Sequence, residues 1–341
     1  MLNDCQPTST DLPRASAANT ATRQAALGFG CATMYRLPSR RGRRAALEAA
    51  YESGIRHFDV APIYGLGLAE RELADFIGNR ADISVATKFG VKPTTTGRLA
   101  GMVQGPIRRA LQVSDNQSLY RSSGSQRARR VAERILYAHQ DYSIANARRA
   151  LAASLRTLRV DRIDYFFLHE PAGILPDDCS GVVEYLERER GRGLIGHWGP
   201  AGDLSHMDAN LMSLSARATA HQFPYDLIGG CSGPQSQPGR ATITFGFISL
   251  ALPRVQALLA VDPVFRQRCS ELLDADLADQ RTVIRLLVRN AVTHNRFGTV
   301  LMSSTKVDNI KAVCQAAVAP FRNEAEVSNK IRQECRTDGQ R

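Results

Sequence analysis

Short apolar runs recur along most of this 341-residue chain, and helical patterns fill the gaps between them. Eight runs read as strands: Ala26–Cys31, Ile55–Val60, Ile83–Thr87, Ile163–His169, Leu194–Trp198, Thr219–Phe223, Thr242–Ile248 and Thr299–Met302. Several are almost continuously apolar rather than alternating, which suits parallel strands covered on both faces. Ser39 is placed to cap a helix over Arg40–Ser53 that stops at Gly54, and Ser143 to cap one over Ile144–Leu158. A further helix over Val182–Arg190 ends at Gly191. Strands alternating with helices in this way predict an α/β chain closed as a (β/α)8 TIM barrel, in preference to a doubly wound sheet.

The alternation is broken in three places. A long insertion at 91–142 separates the third run from the fourth, and an extra segment at Leu250–Asp276 precedes the eighth. Loops that follow barrel strands build the active face, so both are expected over the site. Gly229–Gly239, rich in Gly, Pro and Ser, stands where a sixth helix belongs and predicts that this helix is missing. The organisation expected is a flexible N-terminal arm (1–24), a barrel (25–319) carrying the 91–142 insertion as a lid, and a C-terminal tail (320–341).

Composition narrows the function classes. The net charge of +11 is lopsided: residues 1–45 hold seven Arg against two Asp, and 91–142 hold nine basic against three acidic side chains. The rest of the chain is neutral, so the excess charge lies outside the barrel core. Arg127, Arg129, Arg130 and Arg134 would form one basic stripe on a helical lid, suited to an anionic substrate or an acidic partner. Nucleic acid is disfavoured, because only Tyr120 and Tyr137 interleave those charges. No apolar run approaches the roughly 18 residues of a membrane span. Met1–Arg23 does not resemble a secretory leader. The seven Cys are scattered, with no C-x-x-C pair and no Cys/His cluster, which predicts reduced thiols, no metal site and a cytoplasmic setting.

Four polar residues stand at the ends of three successive strands. The second run leads through Asp59 to Tyr64, the third delivers Lys88, and the fourth delivers His169. In a barrel those ends are neighbours on one face. A tyrosine titrates near pH 10 when unperturbed, too high to exchange protons readily at neutral pH. A lysine ammonium beside it favours the tyrosinate, an aspartate holds the lysine, and a histidine N–H orients a carbonyl or hydroxyl oxygen. The set is a proton relay for carbonyl/alcohol interconversion. Only five of the 44 basic residues are Lys, which makes a lysine at this position more pointed.

The stretch His57–Gly65, continued by Leu66-Gly67-Leu68-Ala69-Glu70, closely resembles the signature of the aldo-keto reductases. It is most similar to the bacterial branch of aldose and pyridoxal dehydrogenases. The likeness continues through Val85–Lys88, Arg162–Pro171 and Gly298–Val313. What the resemblance implies is a barrel that binds a nicotinamide cofactor, NADP with NAD as the alternative, and a small carbonyl or alcohol substrate. It makes Tyr64 the general acid or base, Asp59 and Lys88 its tuners, and His169 the carbonyl-orienting group. Gln222 would meet the nicotinamide carboxamide and Phe247 would stack on the ring. Where the family has a Ser-Asn pair after the fifth strand, this chain has Gly199-Pro200-Ala201, without polar side chains. Ser303-Ser304-Thr305-Lys306, entering a helix over Val307–Val318, suits phosphate, with Lys306 for a 2′-phosphate and Asn309 nearby. A second reading, drawn from the lost pair, the missing helix and the insertion, is a cofactor-binding regulatory or scaffold barrel.

Overall fold

The structure, a computed structural model, describes residues 26–91, 140–234 and 239–337. The N-terminal arm and the basic stripe expected at Arg127–Arg134 lie outside the described residues. The described residues form nine strands: β1 (Ala26–Gly30), β2 (His57–Asp59), β3 (Ser84–Phe89), β4 (Ile163–His169), β5 (Ile195–Ala201), β6 (Ala220–Asp226), β7 (Gly230–Cys231), β8 (Ala241–Phe245) and β9 (Thr299–Met302). All but β7 pair in parallel, in chain order from β1 to β6, then β8 and β9. The β1–β9 pairing and the Ala201↔Gln222 pair between β5 and β6 close the ring. The expected eight-stranded barrel is therefore formed.

Helices cover it from outside: α1 (Arg40–Glu52), α2 (Ala69–Ile77), α3 (Ile144–Leu158), α4 (Pro176–Gly191), α5 (Ala209–Arg217), α6 (Leu252–Val261), α7 (Pro263–Leu273), α8 (Gln280–His294), α9 (Val307–Ala317) and α10 (Glu324–Thr337). Both serine caps form, with Ser39 Oγ accepting from the Gly42 N–H and Ser143 Oγ from the Asn146 N–H. Helix α4 starts earlier than its apolar pattern, because Pro176 takes the first turn with Asp177 and Asp178 beside it. Strand β5 runs past Trp198 through Gly199 and Pro200 to Ala201. Gly199 permits this: a Cβ there would lie 1.7 Å from the Ala220 carbonyl oxygen.

Alternate residues of each strand share the barrel interior, which fills in layers. The lower layer holds His57, Tyr165 and His197, with Tyr165 edge-on to one imidazole and stacked on the other. Ala86, Phe167, Ala201, Ala220, Ile243 and Leu301 form the apolar plug above it. Residues of opposite parity, such as Phe58, Phe166 and Trp198, join the larger core between strands and helices.

Among the described residues no helix stands between β6 and β8. The chain instead turns back as β7, antiparallel to β6, with the Asp226 carboxylate accepting from the N–H groups of Ile228 and Gly229. Leu227 and Ile228 are buried in a second apolar cluster with residues of α6, α7 and α8 and with Val327, Ile331 and Cys335 of α10. Arg332 and Arg336 of α10 donate to the carbonyls of Leu227 and Ile228. The tail expected at 320–341 thus contains a helix that covers the end of β6. The segment Leu250–Asp276, expected over the site, folds as α6 and α7 and joins that outer cluster; only Gly246–Ser249 before it face the cleft.

Candidate active site

The C-terminal ends of the strands surround a cleft of about 1020 Å³, lined by Asp59, Tyr64, Lys88, His169, Gln222 and Phe247 among others. Lys88 and Asp59 share the top interior layer with Gln222, and all three are at most 3% exposed. The Lys88 ammonium donates to Asp59 Oδ1 at 2.5 Å and to the Val60 carbonyl at 3.2 Å. Tyr64 arrives on a short turn after β2 whose next residue, Gly65, has φ +59° and packs against the Tyr35 ring. A side chain at 65 would strike that ring, so glycine fixes how the turn presents Tyr64. The Lys88 ammonium lies 5.1 Å from the centre of the Tyr64 ring, and the His169 ring stands edge-on to it at 6.0 Å. The four residues singled out at strand ends are brought together.

Electrostatics act on Lys88, Tyr64 and His169 in different directions. Burial alone would discharge Lys88, but Asp59 and Tyr64 more than offset this and hold its pKa above the usual lysine value. Burial pushes the Tyr64 phenol up, while the Lys88 charge pulls it down; burial is the larger, so the pull expected from Lys88 is present but outweighed. Burial, reinforced by the Lys88 charge, brings His169 down to about 3, which leaves a neutral imidazole at physiological pH. A neutral ring keeps one N–H to donate.

Gln222 is tied to this cluster by a bond the sequence did not announce: its Nε2 donates to Asp59 Oδ2 at 2.8 Å. A carboxylate only accepts, so the amide orientation is set by chemistry, and Oε1 is left buried without a partner. That orphan acceptor suits the –NH2 of a carboxamide. Phe247, expected inside the seventh strand, falls after β8, which ends at Phe245; it is buried and lines the cleft.

At the far end, Ser303, Ser304 and Asn309 line the cleft, whereas Thr305 and the exposed Lys306 stand beside its lining. Ser303 Oγ donates to the Gly30 carbonyl, and Ser304 Oγ accepts from the Lys306 N–H. Asp308 of the first turn of α9 faces the same cleft. Sequence reasoning missed Arg281 and Arg285, which line the cleft from α8. Their signal was the i, i+4 arginine series 281, 285, 289. Arg285 is engaged with the Ala319 and Pro320 carbonyls and lies over the Phe321 ring. The N–H groups of a helix N-terminus with Arg281 and Lys306 nearby form a donor set that fits phosphate. The residues at both ends therefore fit a nicotinamide dinucleotide.

Among the described residues there is no group of three or more His, Cys, Asp or Glu able to hold a metal, and no helix long and apolar enough to cross a membrane.

Comparison with known proteins agrees with this arrangement. Residues 26–228 match the model of the Aldo/keto reductase family. The chain is 33% identical over 191 residues to D-threo-aldose 1-dehydrogenase of Pseudomonas sp, covering 54% of this chain and 51% of that protein. It is 44% identical over 69 residues to pyridoxal 4-dehydrogenase of Microbacterium luteolum, covering 19% and 20%. The matches thus span about half the length of the first relative and a fifth of the second. A solved aldo-keto reductase from Bacillus halodurans in its holo form superposes with a TM-score of 0.61 at 20% identity, covering 90% of this chain and 92% of that one. A closed barrel with Asp59, Tyr64, Lys88 and His169 at its mouth, and a family match over more than half the residues, place the chain in the aldo/keto reductase family.

Proposed function

We propose that this protein is an NAD(P)-dependent oxidoreductase interconverting a small carbonyl, an aldehyde, ketone or aldose, with its alcohol. The observation that carries the reading is the convergence of Tyr64, Lys88 and His169 in one cleft, with Asp59 holding the ammonium at 2.5 Å. The bound cofactor supplies or accepts the hydride. His169, neutral, donates its N–H to the substrate oxygen and orients the carbonyl. Tyr64 gives its proton to that oxygen in reduction and takes it back in oxidation. The Lys88 charge, kept in place by Asp59 and the Val60 carbonyl, stabilises the tyrosinate left behind.

Gln222 is assigned to the carboxamide, Phe247 to the ring face, and Ser303, Ser304, Thr305, Lys306 and Asn309 with Arg281 to the phosphates. NADP is the preferred cofactor on this reading, because Lys306 and Arg281 add charge for a 2′-phosphate. The likeness to D-threo-aldose 1-dehydrogenase favours an aldose-type substrate, and Arg127, Arg129, Arg130 and Arg134 in the sequence favour an anionic one. A cytoplasmic setting belongs to the same reading, in keeping with unpaired thiols such as Cys31 and Cys179. The features that motivated a scaffold role leave the Asp59–Lys88 pair intact.

Substitution of Tyr64 by Phe tests the mechanism. Turnover across an aldehyde and aldose panel is expected to fall at least about 100-fold, with NADPH affinity, read by fluorescence titration, unchanged. Full activity of that variant would remove Tyr64 from the mechanism. Tighter binding of NADPH than of NADH is expected in the same titration, and equal affinity would remove the 2′-phosphate role of Lys306.

A further inference from the structure

The end of β5 offers the cleft no polar side chain: its last residue is Ala201 and the next is Gly202. Two acceptors from neighbouring strands flank that bare end. On one side is Gln222 of β6, whose buried Oε1 has no partner. On the other is Glu170, the residue after β4, which lines the same cleft. Backbone bonds stitch the three strand ends together. The Glu170 N–H donates to the Ala201 carbonyl at 2.7 Å, and the Gly202 N–H to the Gln222 carbonyl at 2.9 Å.

Two further details concern Glu170. Its φ is +53°, a left-handed conformation disfavoured for a residue with a Cβ. Its carboxylate occupies the space that a side chain at 202 would need: a Cβ on Gly202 would lie 2.4 Å from Glu170 Oε2. Among the described residues no basic side chain forms an ion pair with this carboxylate, which accepts from the Asp203 backbone N–H. A left-handed backbone holds the Glu170 carboxylate over the bare strand end, so that it and the buried orphan carbonyl of Gln222 are two acceptors in the lining of one cleft, flanking Ala201 and Gly202.

We infer that Glu170 and Gln222 together accept the two N–H bonds of the nicotinamide carboxamide, fixing the face of the ring that the cofactor presents to Tyr64 and His169. Glu170 does from the end of β4 what no side chain at the end of β5 can do. The inference rests on the nicotinamide reading above.

The test compares NADPH with its reduced 3-acetylpyridine analogue, in which a methyl group replaces the carboxamide nitrogen and both N–H donors are gone. The reduced ring is neutral in both, so loss of the Glu170 charge affects them alike. Affinities for the full chain are measured by calorimetry. Glu170→Gly suits the left-handed backbone and is expected to fold normally. It should weaken NADPH about tenfold, the loss of one charge-assisted hydrogen bond, and change the analogue less than about twofold. Glu170→Gln keeps an acceptor and should recover most of the NADPH affinity. Equal weakening of both ligands, or no weakening of either, overturns the role of Glu170. If the unsubstituted protein binds neither dinucleotide, the nicotinamide reading itself falls.

Discussion

The barrel has two unlike parts, and the family match divides them at residue 228. Up to that point each strand passes through a short connection to its own helix, apart from the insertion after β3, and strand ends deliver Asp59, Lys88, His169 and Gln222 to one layer. Beyond it the plan loosens. A two-residue strand replaces a helix, α6 and α7 are extra, and α10 returns to cover the end of β6. The first part carries the buried polar groups at the cleft, and the second closes the ring and its flank. The difference separates what the chemistry requires from what the fold requires. Side chains around the reacting end are held to particular atoms by the first part; the second lines the far end of the cleft with Arg281, Ser303 and Asn309 and, in its outer cluster, needs apolar volume in the right place.

That division can be broken by experiment, beginning with the largest effect. Tyr64→Phe should cost at least about two orders of magnitude in turnover and leave the unfolding midpoint unmoved. Ile331→Ala, in the fully buried centre of the second cluster, should do the reverse. It is expected to cost about 2–5 kcal/mol in urea unfolding while the folded fraction retains its kcat. Loss of activity per folded molecule in Ile331→Ala would mean that the two parts are coupled.

Acid provides the third comparison. Burial lowers His57 from 6.5 to about 4 and His221 to about 4, and it also depresses His197. The unfolded chain takes up these protons near pH 6.5 while the folded one refuses them, so stability is lost as pH falls from 6.5 toward 4. For His57 the loss amounts to on the order of 3 kcal/mol at most. These side chains all precede residue 228, so His57→Gln should flatten the pH dependence of the urea midpoint over that range. An unchanged slope would show that His57 is not the sensitive group.

Legibility in the sequence follows the same boundary. Strands Ile163–His169 and Thr299–Met302 have the limits their apolar runs suggested, and both serine caps form. The four-residue cluster was visible because strand ends in a barrel are neighbours whatever the loops do. Bonds that depend on three-dimensional register were hidden. Nothing in the order of residues ties Gln222 to Asp59, 163 positions away. No pattern in the sequence marks Glu170, whose left-handed backbone only the fold reveals. The apolar run stops at Trp198, whereas β5 continues through Pro200 to Ala201, although proline seldom sits in a central strand. Gly199, pressed against Ala220, carries the strand onward. The role of α10 was illegible for a related reason: its apolar face has meaning only against Leu227 and Ile228, far away in the chain.

That last contact also sets an order of assembly. The bond from Arg332 to the Leu227 carbonyl spans 105 residues of sequence, whereas β2, β3 and their helices close short loops. Contacts of long sequence separation form late, because the entropy of closing the loop is lost before the contact is gained. The β1–β9 pairing that closes the ring, with Ser303 donating to the Gly30 carbonyl across 273 residues, is more distant still, so ring closure and the covering of β6 both follow the local contacts of β2 and β3. A chain cut short before α10 would lose the cover that Val327, Ile331 and Cys335 give to Leu227 and Ile228, and is expected to expose an apolar face that favours aggregation.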